Sequence, residues 1–328
     1  MPSIYLLIGY PASTKTTYAQ KLLNRFSNGV ILSRDIEGGS IIDLVPKVES
    51  LLQNNKIVII DNTNLTKEIR KSFIKLAKER IIPIPIYGIY FKTTIEECQI
   101  RALHRMWIKY NDIYLTGKPP KDSVASKDPT VFPPAFFFRA RKILEEPSIE
   151  EGFTKIQTIK VEYPKFDGRR YNKKALFLDI DGTIRKTVEN TKYPVTIEQV
   201  QLLHDANKMK NLLEKYRNNG YLLIGLSNQS GISTKKITEE KVIECFNKTR
   251  ELLGYTENEF PIIYCSHNPA PITCYCRKPQ LGMPLKMIEQ YKLNPKKCIM
   301  VGDMKTDQTM AERLKLQYID VNEFWKFE

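Results

Sequence analysis

The sequence predicts an α/β protein made of two tandem, doubly wound parallel-sheet domains. Three observations carry that expectation. Short apolar runs of strand length alternate with segments of helical periodicity along most of the 328 residues. The alternation breaks over residues 110–135, which hold Gly117, Pro119, Pro120, Pro129, Pro133 and Pro134, and again over 164–173, before it restarts. In the second half the first apolar strand runs straight into Asp179 and Asp181, at the strand end where open α/β sheets bind ligands, and in the first half it leads into the loop Gly9–Thr17 before a helix.

The first half reads as strand Ile4–Ile8, helix Lys15–Phe26, strand Val30–Leu32, helix Ile41–Leu52 and strand Lys56–Ile60. Helix Leu65–Lys78, strand Ile84–Phe91, helix Ile95–Arg105 and a last strand Ile156–Val161 follow. The Lys- and Pro-rich stretch 110–135 reads as a long surface loop or lid. After the linker come strand Ala175–Leu178, a helix near Ile197–Asn218, strand Tyr221–Leu226, a helix near Glu239–Leu253 and strand Ile262–Cys265. A helix near Pro284–Tyr291, strand Cys298–Val301 and a strand at Ile319 complete the pattern. The expected division is residues 1–163, a linker 164–173, and residues 174–328.

Net charge is +14, spread over both halves, which suits a polyanionic substrate as well as a solvated Lys-rich surface. No apolar run approaches the ~20 residues of a membrane span, and nothing at the N-terminus reads as a signal peptide. The expectation is an intracellular protein, cytoplasmic or nuclear, neither secreted nor bound to a membrane. Six cysteines do not form a disulfide-like pattern; Cys98, Cys245 and Cys298 lie within helix or strand patterns as ordinary thiols.

In the second half, Ala175-Leu-Phe-Leu-Asp-Ile-Asp-Gly-Thr183 delivers two carboxylates, Asp179 and Asp181, at the end of a buried strand. Two acids so close need a cation, and hard oxygen ligands point to Mg²⁺. One carboxylate can then attack phosphorus while the other moves protons. A second strand ends in Ser227-Asn228-Gln229, a hydroxyl and amides suited to phosphate oxygens, and Arg277-Lys278 offers fixed positive charge. A third strand leads to Asp303 and Asp307. Between these pieces, Cys265, His267, Cys274 and Cys276 crowd four soft or borderline ligands together, the demand of a structural Zn²⁺ site.

This half resembles the haloacid-dehalogenase-like phosphatases over roughly residues 173–320. The resemblance implies that Asp179 is the nucleophile of an aspartyl-phosphate and that Asp181 protonates the leaving oxygen and later activates water. It also implies that Asp179, Asp303 and the Asp181 carbonyl hold Mg²⁺ with support from Asp307, while Ser227 and Lys278 bind phosphate. The cysteine spacing resembles the histidinol-phosphate and heptose-bisphosphate phosphatase branch.

In the first half, Gly9-Tyr-Pro-Ala-Ser13-Thr14-Lys15-Thr16-Thr17 sits between strand and helix, the context of a phosphate-binding P-loop. Its N–H groups would cradle ATP phosphates, Lys15 would reach the β/γ oxygens, and Thr16 would ligate Mg²⁺. Thr14 and Ala12 stand where such loops often carry glycine. Asp35, after Arg34, is placed to accept a proton from an attacking hydroxyl. Asp61-Asn62-Thr63-Asn64 ends the third strand, and Arg101 and Arg105 share one helix face.

These residues, with the closing run Phe138–Phe153, make this half similar to the kinase domain of polynucleotide kinase/phosphatases, in the bacteriophage order of kinase first. The similarity implies a P-loop kinase-like domain followed by the phosphatase. Asp35 would be general base toward a 5′-hydroxyl; Lys15, Arg101 and Arg105 would engage ATP; Arg34 and Asp61 would contact substrate. Gly38 departs from the phage pattern, which has arginine there. The expected function is healing of DNA or RNA ends upstream of a ligase. Two alternatives stand beside it: a sugar or histidinol phosphatase fused to a metabolite kinase, and a phosphatase with a kinase-like module that only binds nucleic acid.

Overall fold

The computed structural model describes residues 1–161, 166, 168–188 and 192–326. The expected domain end Tyr163, the linker residues Pro164, Lys165 and Asp167, and the terminal Phe327 and Glu328 lie outside them. The chain divides into two compact units: Met1–Ala102 with Asp128–Thr130 and Ala135–Pro164, and Leu103–Lys127 with Val131–Pro134 and Lys165–Glu328.

The first unit is built on a five-stranded, all-parallel sheet of β1 (Ser3–Ile8), β2 (Gly29–Leu32), β3 (Ile57–Ile60), β4 (Ile86–Lys92) and β5 (Lys155–Lys160), in the order β2-β3-β1-β4-β5. Its helices are α1 (Lys15–Leu23), α2 (Arg34–Glu37), α3 (Val45–Gln53), α4 (Lys67–Lys78), the start of α5 (Ile95–Tyr110), and α6 (Ala135–Ile143). Alternate residues of β1 serve opposite faces. Ile4, Leu6 and Ile8 pack with Val48 and Phe73, whereas Leu7 packs with Ala19 and Leu22. Helices therefore cover both sides, which is why these strands are apolar throughout rather than alternating. The chain crosses from one side of β1 to the other between β3 and β4, so the carboxyl end of β1 is a switch point for ligands.

A fully buried Arg70 on α4 closes this unit. Its Nε and Nη2 each donate to Glu151 at 2.7 Å, and Nη1 donates to the carbonyls of Asn64, Leu65 and Glu145. The guanidinium thus ties the turn after β3 to the closing run before β5.

The second unit carries another all-parallel sheet: β6 (Lys174–Asp179), β7 (Tyr221–Asn228), β8 (Ile262–Cys265), β9 (Ile299–Gly302) and β10 (Gln317–Asp320), ordered β10-β9-β6-β7-β8. Its helices are α7 (Ala206–Asn218), α8 (Ser230–Ser233), α9 (Glu239–Leu253), α10 (Gly282–Tyr291), α11 (Lys305–Leu314) and α12 (Val321–Phe324). Thr238 caps α9 through Lys241 N at 3.4 Å, and Gly254, at φ 69°, ends it in the left-handed conformation. The switch point falls between β6 and β9, at Asp179 and Asp303.

Two expected elements differ. The helix near Ile197–Asn218 is a 3-10 turn, Ile197–Gln199, followed by α7 with Asp205 as N-cap. The intervening residues pair instead with the loop after Asp181: Lys186 N donates to Gln201 O at 2.8 Å and Leu203 N to Ile184 O at 3.0 Å. The stretch 110–135 is not a free lid. Buried Tyr275 receives it, through Tyr275 N to Leu115 O at 2.6 Å and Tyr275 Oη to Phe132 O at 2.7 Å, and Asp112 pairs with Lys286 at 2.7 Å. Among the described residues no helix is long and apolar enough to cross a membrane.

Candidate functional site

In the second unit the ends of β6, β7 and β9 converge on one acidic centre. Asp179, Asp303 and Asp307 each bring a carboxylate oxygen within 4.8 Å of the others. Lys278 Nζ pairs with Asp179, lies 2.7 Å from Asp307 and donates to Leu226 O at 2.9 Å. Both Lys278 and Asp307 are almost wholly buried. Burial, joined by the charges of Asp307 and Asp181, pushes the Asp179 carboxyl up to about 7 against the pull of Lys278. Burial also raises Asp303, with Asp307 adding to it. Burial tends to lower Lys278, but Asp179 and Asp307 outweigh it and hold the ammonium above its ordinary value.

One ammonium facing several carboxylates leaves an excess of negative charge. The donor set is all oxygen, so it fits a hard divalent cation such as Mg²⁺. Gly182, at φ 94°, lets the backbone pass where an added Cβ would fall on the Asp303 carboxylate.

Asp181 is gripped from two sides. Arg185 Nε donates to Oδ1 at 2.7 Å, and Gln229 Nε2 donates to Oδ2 at 2.7 Å. Gln229 also reaches Ser227 Oγ at 2.8 Å, while Ser227 sits 3.5 Å from Asp181. Thr183 donates to Asp179 at 3.3 Å. Gln229, expected with Ser227 and Asn228 to hold phosphate oxygens, thus spends its amide on Asp181 and Ser227, while the sequence pattern gives no sign of Arg185 or Thr183. Asn228, expected to face substrate, exchanges bonds with the Lys278 backbone instead: Nδ2 to O at 3.3 Å, and Lys278 N to Oδ1 at 3.0 Å. Arg277 turns to the His267 carbonyl at 3.4 Å. Both hold the loop that presents Lys278.

That loop begins at Cys265. Sγ of Cys265 lies 3.7 Å from Sγ of Cys274 and 3.5 Å from Nδ1 of His267, and Sγ of Cys276 lies 3.2 Å from the same nitrogen. A tetrahedral Zn²⁺ with bonds of about 2.3 Å to sulfur and about 2.0 Å to nitrogen has S–S edges near ~3.8 Å and S–N edges near ~3.5 Å. All four ligand atoms lie within 4.8 Å of one another, so the residues fit a closed four-ligand site.

In the first unit residues 9–17 follow the end of β1 and lead into α1. Lys15 Nζ donates to Gly9 O at 3.1 Å, Tyr10 O at 2.6 Å and Ser13 Oγ at 3.3 Å. Burial brings Lys15 down to about 8, with Cys98, Asp61 and Asp35 opposing the shift. Ala12 at φ 57° and Thr14 at φ 70° take the left-handed conformation that glycine favours.

Burial raises Asp61, countered by a bond from Thr16 and by Lys15. Asp35 is exposed on α2, 3.8 Å from Arg34, and Arg34 N donates to Asn62 Oδ1 at 3.2 Å. Thr16 and Thr17 open the exposed face of α1. Arg101 lies in the first unit and contributes its charge near Cys98. Arg105, one turn on, belongs with the second unit and neighbours Tyr275.

Residues 174–325 match the family model for polynucleotide kinase 3 phosphatase. The "Probable D-glycero-D-manno-heptose-1,7-bisphosphate 7-phosphatase" of Thermoplasma volcanium is 34% identical over 149 residues, covering 44% of this chain and 96% of that protein. The D-glycero-beta-D-manno-heptose-1,7-bisphosphate 7-phosphatase of Haemophilus ducreyi is 32% identical over 43% of this chain and 78% of its own length. A solved chain of a Pnkp1/Rnl/Hen1 complex aligns over 98% of this chain and 96% of its own, at 18% identity and a TM-score of 0.34. Through its C-terminal half, the chain belongs with the haloacid-dehalogenase-like phosphatases that include the heptose-bisphosphate 7-phosphatases.

Proposed function

We propose that the protein heals nucleic-acid ends, removing 3′-phosphates with its second half and phosphorylating 5′-hydroxyls with ATP in its first. The observation that carries the phosphatase reading is Asp179, buried against Lys278 at the end of β6 with Asp181 two residues on. Asp179 attacks phosphorus, and the departing 3′-oxygen keeps the electron pair of the broken P–O bond and takes a proton from Asp181. Asp181 then removes a proton from water, whose oxygen displaces Asp179 and frees phosphate. Mg²⁺ held by Asp179, Asp303 and Asp307 would neutralise the phosphoryl charge. Lys278, paired with Asp179 and Asp307, would add its positive charge to the same neutralisation.

The kinase reading is supported by Lys15 within its loop and by the charges of Asp35 and Asp61 that reach it. Asp35 would take the proton of the attacking 5′-hydroxyl. The two products together are ends that a ligase can join. The +14 charge agrees with a polyanionic substrate, and binding should weaken steeply with salt.

One incubation tests the whole reading: an oligonucleotide with a 5′-hydroxyl and a 3′-phosphate, ATP and Mg²⁺, with both ends read by mass. The expected result is loss of the 3′-phosphate and gain of a 5′-phosphate. An unchanged oligonucleotide beside rapid hydrolysis of heptose bisphosphate or histidinol phosphate would favour the small-molecule reading. The similarity to heptose-bisphosphate phosphatases supports that alternative. Loss of the 3′-phosphate alone would point to a kinase-like half that only binds, an outcome the left-handed Thr14 motivates.

A further inference from the structure

We propose that Arg185 is a positioning residue for Asp181, fixing the side chain that hands the proton to the leaving oxygen. The inference rests on the phosphatase reading above. Arg185 is 1% exposed, so its guanidinium needs an anion and a full set of acceptors. The chain turns back on itself to supply them: Arg185 N donates to Ile180 O at 3.0 Å and Gly182 N to Arg185 O at 2.8 Å, which brings the guanidinium beside Asp181. Nε then binds Asp181 Oδ1 at 2.7 Å, and Nη1 binds Thr249 Oγ1 on α9 at 3.2 Å. The guanidinium carbon stands 5.2 Å from the Phe246 ring centroid, also on α9. Thr249 is itself anchored to Cys245 O at 2.8 Å.

Arg185 is therefore held by a packed helix, and Asp181 is held by Arg185. Gln229 fixes the opposite oxygen. A carboxyl group gripped at both oxygens has little freedom to leave its orientation, as a proton donor to a reacting atom requires. Misplacement by about 1 Å costs on the order of 100-fold in such a step.

The test exploits how much a leaving group needs that proton. An alkoxide from a 3′-phosphorylated oligonucleotide needs it; the phenolate of p-nitrophenyl phosphate largely does not. Arg185→Ala should lower kcat/KM on the oligonucleotide about 100-fold and should cost the aryl ester far less, because kcat/KM ends at departure of the leaving group and leaves out the water step that Asp181 serves for both substrates; the ratio of the two kcat/KM values therefore shifts by about 10-fold or more. Asp181→Asn sets the limiting ratio. A support role in folding alone would lower both rates together, and a ratio unchanged within about twofold would overturn the proposal.

If Arg185→Ala does not fold, Arg185→Lys and Thr249→Val carry the test. Thr249→Val keeps the shape of the anchor and removes its hydroxyl, and should move the ratio the same way by about threefold. An unmoved ratio in both overturns the proposal equally. Asp179→Asn separates the two levels: full activity there would sink the phosphatase reading itself, whereas a dead Asp179→Asn beside an unmoved Arg185 ratio would sink this inference alone.

Discussion

Replacing Lys278 with methionine removes one charge from the acidic centre and little volume. Lys278 Nζ lies 2.7 Å from Asp307 and pairs with Asp179 as well. At an effective dielectric of about 20, a unit pair at that distance is worth ~6 kcal/mol before desolvation. Breaking a buried pair typically costs about 3–5 kcal/mol, because the remaining charge stays buried. At roughly 2–4 °C per kcal/mol, the melting temperature of Lys278→Met in chelator should fall by about 6–20 °C.

The informative measurement is the return with Mg²⁺. The variant site carries one more uncompensated negative charge than the wild type, so the ion should bind it more tightly and raise its melting temperature further. Thermal melts of both proteins across a magnesium titration would show a larger magnesium increment in the variant. Equal increments would refute the idea that lysine and cation share the neutralisation of these carboxylates. Phosphatase activity should not return with stability, since under the proposed mechanism the Lys278 charge is also needed by the transferring phosphoryl group.

Three further outcomes follow from the sites. Asp179→Asn should reduce 3′-phosphate removal by about 10⁴-fold or more while any 5′-kinase activity persists, measured on one oligonucleotide; loss of both in a folded protein would contradict separate sites. Elemental analysis should find about one zinc per chain, and Cys276→Ala should lose it and lower the melting temperature by about 10 °C or more. Thr14→Gly should relieve a left-handed threonine worth about 1–2 kcal/mol, less the ~0.5–1 kcal/mol of freedom glycine gains when unfolded, for a net rise between about 0 and 1.5 kcal/mol in urea denaturation, and a clear loss of stability would refute the strain.

Local pattern made much of this molecule legible. β1, β3 and β6 were readable because buried parallel strands are apolar on both faces, and the carboxylates stood out because a charged pair ends such a strand. The four zinc ligands were readable because they lie close in sequence. What local pattern could not carry was pairing at a distance. Nothing near Arg70 announces Glu151, and nothing near Arg185 announces Thr249. The helix near Ile197 failed because residues 201–203 find backbone partners in the loop after Asp181, which helical periodicity does not register. The Pro-rich stretch looked like a lid because its anchor, Tyr275, lies far along the chain.

The shortness of the path from Cys276 to Lys278 has a consequence of its own. With zinc in place, the same few residues hold a set of thiolates and aim the ammonium, so chemistry at sulfur reaches phosphate chemistry without touching a carboxylate. An oxidant or mercurial that stripped the loop of its ion would silence hydrolysis from outside the pocket. Reductant and fresh zinc should restore it.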